Sequence, residues 1–197
     1  MKSNIKSVIL ENSRSLFNKN GYASVSMRDI SNACQISVGN LTYHFPHKTD
    51  ILCALMEDIQ PSSSTTIQNF QDLYQYLKEM ILGVKKNAFF FSVNNMQHLD
   101  ETCFLASKAN VDKLRDSLII ALKNFRTNGL LSSSLTDNSI TSIVSFWMLS
   151  HLSWASEDNQ ESIYKQTTLD EFLTQHFDLL IPYFTPKAAK EFKQLSK

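Results

Sequence analysis

Between residues 26 and 48 the sequence concentrates side chains suited to a phosphate-lined groove: Ser26, Met27, Arg28, Ser37, Val38, Gly39, Asn40, Thr42, Tyr43, His44 and Lys48. Hydroxyls, imidazoles and cations donate hydrogen bonds to phosphate oxygens, and such contacts set affinity and register without reading base sequence. Asn40 can hydrogen-bond to a base edge and Val38 can meet a thymine methyl, so these two are the specificity candidates. Gly39 lets a backbone approach a partner closely. Ser26 precedes an apolar-periodic run and would present both a hydroxyl and a helix amino terminus to an anion. Thr42, Tyr43 and His44 are candidate phosphate donors, and Lys48 supplies a flanking charge. Arg28 has two open roles, a phosphate contact or a salt bridge with Asp29 or Glu57.

These groups need elements to position them. Apolar residues at Ile5, Val8, Ile9, Leu16 and Phe17 recur at helical spacing, and Gly21 follows as a stop. Ser26 can cap a second helix with Ile30 and Cys34 facing inward, and the turn Gln35-Ile36-Ser37 leads to a third helix capped by Ser37. Pro46 ends that helix, and Ile51, Leu52, Leu55 and Ile59 mark a fourth. Two short helices joined by a three-residue turn form the outline of a helix-turn-helix reader. Leu41 and Phe45, four residues apart, are core positions.

The run SMRDISNACQISVGNLTYHFPHKTDIL, residues 26–52, resembles the DNA-binding signature of TetR/AcrR-type bacterial repressors. The resemblance rests on Gly21-Tyr22, Ser26 with Met27-Arg28-Asp29-Ile30, Ile36-Ser37, Gly39, Leu41, His44-Phe45 and Lys48, and it covers about the first quarter of the chain. Two positions depart from the usual pattern. Gln35 stands where Gly is common, which makes a left-handed turn residue less favourable there. Thr42 stands where Tyr often sits, which removes an aromatic phosphate contact and leaves a hydroxyl donor. The resemblance implies an all-α protein: a three-helix helix-turn-helix domain over 1–48, followed by a helical bundle over 49–197 with a ligand pocket and a dimer interface. It also implies a homodimer bound to a palindromic double-stranded operator, repressing transcription until a ligand shifts the reading helices through helix four.

Composition sets the boundaries of this reading. The chain has 197 residues, 43% hydrophobic and 11% aromatic, with 4 Gly and 4 Pro, so collagen-like and disordered classes are excluded. Its 19 basic and 19 acidic residues balance, yet residues 1–50 carry six Lys/Arg against three Asp/Glu, a surplus of three at the amino-terminal end. Cys34, Cys53 and Cys103 are odd in number and lack CxxC spacing, so neither a disulfide framework nor a thiolate zinc site is expected. A cytoplasmic location fits. Charged residues interrupt the amino-terminal apolar positions, which argues against a secretory signal, and Asn138–Ser156, though uncharged, reads as a buried helix rather than a membrane span.

An enzyme is the main competing class, but GxSxG, HExxH, a phosphate-cradling Gly loop and a dinucleotide fingerprint are all missing, and the five His have no metal-ligand spacing. No catalysis, cofactor or metal is expected. A helical binding module with weak or secondary DNA affinity is the other alternative.

The Pro61–Thr66 stretch is the clearest break. Beyond it, helical periodicity marks Phe70–Ile81, Val111–Phe125, Ile140–Trp154 and Leu169–Phe184, with Thr185-Pro186 opening a last helix. Under the resemblance, helices at 138–156 and 169–184 build the dimer interface, with Ile143, Trp147, Trp154, Phe172, Phe177 and Leu180 as candidates. Phe89, Phe90, Asn94, His98, Phe104, Trp147 and His151 are the candidates for a pocket suited to a largely apolar small-molecule effector. For each aromatic, simple core packing competes with either role.

Overall fold

A computed structural model of the chain describes residues 4–57, 66–91, 101–156 and 167–195. It is all-α. The α-helices among these residues are α1 (Ile5–Asn20), α2 (Met27–Ala33), α3 (Val38–His44), α4 (Lys48–Glu57), α5 (Phe70–Lys86), α6 (Glu101–Thr127), α7 (Asp137–Ser156), α8 (Leu169–Asp178) and α9 (Pro186–Leu195). Short 3-10 turns occupy Ala88–Phe91 and Ile181–Tyr183. Among the described residues no strand forms, and one isolated antiparallel bridge joins Leu131 to Phe184.

Local chemistry sets the helix ends. Asn4 caps α1 through its side chain, and Gly21 closes it at φ 77° with its N–H donating to the Phe17 carbonyl. Thr168 and Glu171 form a reciprocal capping box at α8. The periodicity over 169–184 predicts one helix, but α8 stops at Asp178 and the chain passes into the 3-10 turn containing Pro182. Proline has no N–H to continue an α-ladder, while the apolar spacing carries on past the break.

The chain divides into two compact units, Met1–Gln60 with Gly83–Asn110, and Pro61–Leu82 with Val111–Lys197. In the first, Ile9, Phe17, Ile30, Leu41, Ile51 and Leu55 are fully buried. Phe17 packs edge-on against Tyr22 at 5.1 Å and at a tilt against Phe89 at 5.2 Å.

In the second unit Phe70 is an aromatic hub, 5.3 Å from Phe125, 6.0 Å from Phe177 and 5.0 Å from Phe184. Arg126 closes the connection between α6 and α7 by donating to the Leu135 carbonyl and to Asp137, both at 2.6 Å. Lys123 also reaches Asp137, and the two cations hold that carboxyl below its usual range. No helix among the described residues is long and apolar enough to cross a membrane.

One expectation fails at the cysteines. Cys34 is free, whereas Cys53 on α4 is disulfide-bonded. Three cysteines without CxxC spacing give no local signal of pairing.

Candidate nucleic-acid interface

Local hydrogen bonds and two buried side chains determine which face of α3 is presented. Ser26 and Asp29 form a capping box at α2: the Ser26 hydroxyl accepts from the Asp29 N–H at 3.2 Å, and the Asp29 carboxylate accepts from the Ser26 N–H at 2.8 Å. The Ser26 hydroxyl also donates to that carboxylate at 2.6 Å, and this bond first and the Ser26 N–H second hold the Asp29 carboxyl below its ordinary range. After α2 the Ile36 N–H donates to the Ser31 carbonyl at 3.0 Å, the wrap-around bond of a helix end. Gln35 takes φ 55°, so the left-handed conformation that Gly favours is adopted here by Gln. Ser37 then caps α3 by accepting from the Asn40 N–H at 3.1 Å.

Leu41 and Phe45 are buried, which fixes the rotation of α3. Val38, Gly39, Asn40 and Tyr43 consequently face outward, with Tyr43 83% exposed and its ring edge-on to His44 at 5.1 Å. An apolar Val and a nearly free Tyr on a solvent face add nothing to the core. A Cβ built on Gly39 would meet only the Ser37 Oγ, at 3.9 Å, so the fold does not require glycine there.

The surroundings of three candidate residues bear on their roles. Lys48 is half-buried; its Nζ donates to the Tyr22 and Val25 carbonyls, each at 2.8 Å, and lies 4.2 Å from the centre of the Tyr22 ring. Burial lowers its pKa. Two of its three protons tie α4 to the loop before α2, so its first task is structural. The Thr42 hydroxyl donates to the Gly39 carbonyl at 3.2 Å and would have to leave that bond to donate to phosphate. Arg28 is exposed and forms no ion pair with Asp29, Glu57 or any other described residue, which leaves it available for an anion. Ser26 and Ser37 are exposed caps, while Met27 and His44 are half-buried.

A polar latch on α1 escaped the sequence reading. Arg14 is buried, and its Nε donates to the Asn87 Oδ1 at 3.0 Å while another guanidinium nitrogen pairs with Glu11. Asn18 donates to the Lys86 carbonyl at 3.0 Å and accepts from the Phe89 N–H at 3.0 Å. These bonds dock residues 86–89 onto the helix beside the reader. The available sequence signal was an Arg between Ser13 and Phe17, on the apolar side of α1.

The pocket candidates fall on both units. Phe89 and Phe90 are buried in the first unit, Trp147 and His151 in the second; Asn94, His98 and the side chain of Phe104 lie outside the described residues. The dimer candidates differ in burial. Trp147, Phe172, Phe177 and Leu180 are buried within one chain, and Ile143 and Trp154 are half-buried. The outward apolar groups of α7 are Phe146 and Leu149, 61% and 65% exposed, three residues apart on one face with exposed Ser142, Ser145 and Ser153 nearby. Among the described residues no group of three or more His, Cys, Asp or Glu is placed to hold a metal ion.

Two capped helices around a tight turn, the second with a polar outer face, form a helix-turn-helix. Residues 9–55 match the family described as bacterial regulatory proteins, tetR family. The fold of the chain is similar to that of solved TetR-family regulators. The TetR-family transcriptional regulator PfmR from Thermus thermophilus is 19% identical, with a TM-score of 0.65 over 88% of this chain and 97% of that one. A TetR-family regulator from Marinobacter aquaeolei is 21% identical, with a TM-score of 0.65 over 99% and 97%. AibR, solved in complex with isovaleryl coenzyme A and operator DNA, is 20% identical, with a TM-score of 0.65 over 92% and 100%. No curated protein sequence matches the chain.

Proposed function

We propose that this regulator is a homodimeric repressor that binds a palindromic operator through α3 and is released by a small-molecule effector. The observation that carries the reading is the outer face of α3, where Val38, Gly39, Asn40 and Tyr43 are exposed, together with an exposed Arg28 on α2 that pairs with no described acid. Asn40 and Val38 read base edges. Arg28, Tyr43, His44 and the amino termini capped by Ser26 and Ser37 engage phosphates, and Thr42 joins them if its hydroxyl turns outward. Lys48 contributes its remaining proton to the flanking backbone while holding the reader together.

One short helix contacts too few bases for selectivity, so two copies are required. The exposed Phe146–Leu149 face of α7 supports pairing there, joined by Leu179 and Ile181, both exposed after or within the turn that ends α8. Residues 1–48 act as the reader and 49–197 as the regulatory part. Operator DNA and isovaleryl coenzyme A are named for the solved AibR complex, which supports a DNA partner and an organic effector here. The reading places the protein in the cytoplasm without a catalytic role, where the Cys53 bridge would meet a reducing thiol pool.

Selection of bound fragments from a random duplex pool tests the proposal. A palindromic winner with half-sites one helical turn apart, or a simple multiple, supports it. Absence of enrichment, with only weak salt-sensitive binding, contradicts it.

A further inference from the structure

The second unit buries a pair of imidazoles in otherwise apolar surroundings. Among its described residues, His151 on α7 and His176 on α8 are the only buried polar or charged side chains. Their ring centroids are 4.7 Å apart. Trp147 lies 5.6 Å from His176, Phe172 lies 5.7 Å from His151, and Trp154 stacks on Phe172 at 5.3 Å. The spacing is helical on both sides, with Trp147, His151 and Trp154 on one helix meeting Phe172 and His176 on the other.

The two imidazoles differ in how they are satisfied. His176 Nδ1 donates to the Phe172 carbonyl at 2.8 Å, and its Nε2 lies 3.3 Å from the Ser150 Oγ, whose own proton goes to the Trp147 carbonyl at 2.8 Å. His151 is 1% exposed, and neither of its ring nitrogens has a hydrogen-bond partner; Trp147, equally buried, leaves its indole N–H unpaired. Two N–H donors and one bare imidazole nitrogen are thus unused within one turn of α7. An unsatisfied buried polar group costs about 1–3 kcal/mol, a penalty that Phe or Leu would avoid at either position. Packing alone does not call for these residue types.

We infer that Trp147 and His151 form the polar end of the effector site, and that the effector is an uncharged molecule with an apolar body and a carbonyl or hydroxyl group. The inference rests on the reading of the chain as a ligand-released regulator. A carbonyl oxygen accepts from the indole and imidazole N–H groups, and a hydroxyl can also donate to the bare imidazole nitrogen. The surrounding rings suit a flat or branched apolar body. Charged effectors are disfavoured because the rings against Trp147 and His151, those of Phe172 and His176, supply no counter-charge. Burial also keeps both imidazoles neutral. A carboxylate or ammonium would enter without a counter-charge, which costs several kcal/mol.

A matched probe series tests this on the full-length protein. Acetophenone and benzyl alcohol carry the predicted groups, benzoate and benzylammonium carry charges, and toluene carries no polar group. Tryptophan fluorescence and thermal shift should show the two neutral polar probes binding about tenfold more tightly than the other three, the margin expected for one recovered buried hydrogen bond. His151→Phe and, independently, Trp147→Phe should erase most of that preference over toluene, and His151→Gln should restore part of it. Equal binding of benzoate, a preference that survives both Phe variants, or no saturable signal from either neutral probe would overturn the assignment. Operator affinity of the same proteins separates the two readings. Intact operator binding with no probe preference defeats the effector assignment alone, whereas probe binding without operator selection defeats the regulatory reading and leaves the site standing.

Discussion

Gly39 separates the demands of the fold from those of the operator. Its backbone accepts a Cβ with only a 3.9 Å contact to the Ser37 Oγ, and alanine is the better helix former. Gly39→Ala should therefore leave stability unchanged or raise it by up to about 1 kcal/mol in denaturant melts. Operator affinity should nonetheless fall by about tenfold or more, because a methyl now stands where a backbone must approach DNA. Unchanged affinity would move the contact surface away from the start of α3. Lys48 makes the opposite case, since its residue type suggested a phosphate contact and its position gives it two carbonyl partners. Lys48→Ala should cost about 1–3 kcal/mol of stability in chemical denaturation, the range for hydrogen bonds to a charged group. A melting curve identical to wild type would return Lys48 to a purely DNA-facing role.

Much of the fold was readable at the scale of elements, and its failures have physical causes. Helices α1 to α4 followed from apolar periodicity bounded by Gly21, Ser26, Ser37 and Pro46, residues that stop or cap helices through their own backbone and side-chain chemistry. The rotation of α3 was also readable, because Leu41 and Phe45 were apolar in an otherwise polar segment. On α7 the same logic failed. Beyond Asp137 this helix is uncharged and apolar residues occur all around it, so periodicity could not decide whether Trp147 or Phe146 pointed outward. The latch from Arg14 to Asn87 and the bonds made by Lys48 join residues far apart in sequence, and a backbone carbonyl leaves no mark on residue type. The dimer prediction belongs to this scale. Replacing both Phe146 and Leu149 by Glu should weaken self-association about 100-fold or more in sedimentation, with helical circular dichroism retained. A dimer persisting at the same concentrations would place the interface elsewhere.

At the scale of the whole molecule the buried imidazoles link stability to acidity. Burial, reinforced by the nearby His176, pushes His151 down from 6.5 to about 3. Between these values the unfolded chain binds a proton that the folded chain does not, so stability is retained above pH 6.5 and declines as pH falls toward 3. The decline is about 1.4 kcal/mol per pH unit for one such group, or about 2 kcal/mol between pH 7 and pH 5. His176, also lowered by burial, is the titratable group in ring contact with His151 among the described residues. Urea unfolding at pH 7 and pH 5 should show His151→Phe losing less stability on acidification than wild type, by about that amount. Equal losses would mean that His151 is solvated or paired in the native state.

The central claim is that the outer face of α3 reads DNA sequence. Its most direct test is the affinity of wild type and Asn40→Ala for a selected operator and for a set of duplexes that changes each base pair of one half-site in turn. The account predicts that wild type loses about 1–3 kcal/mol at the position read by Asn40, and that the variant loses this discrimination there while keeping it elsewhere. A uniform loss across all duplexes, or an unchanged profile, would contradict it.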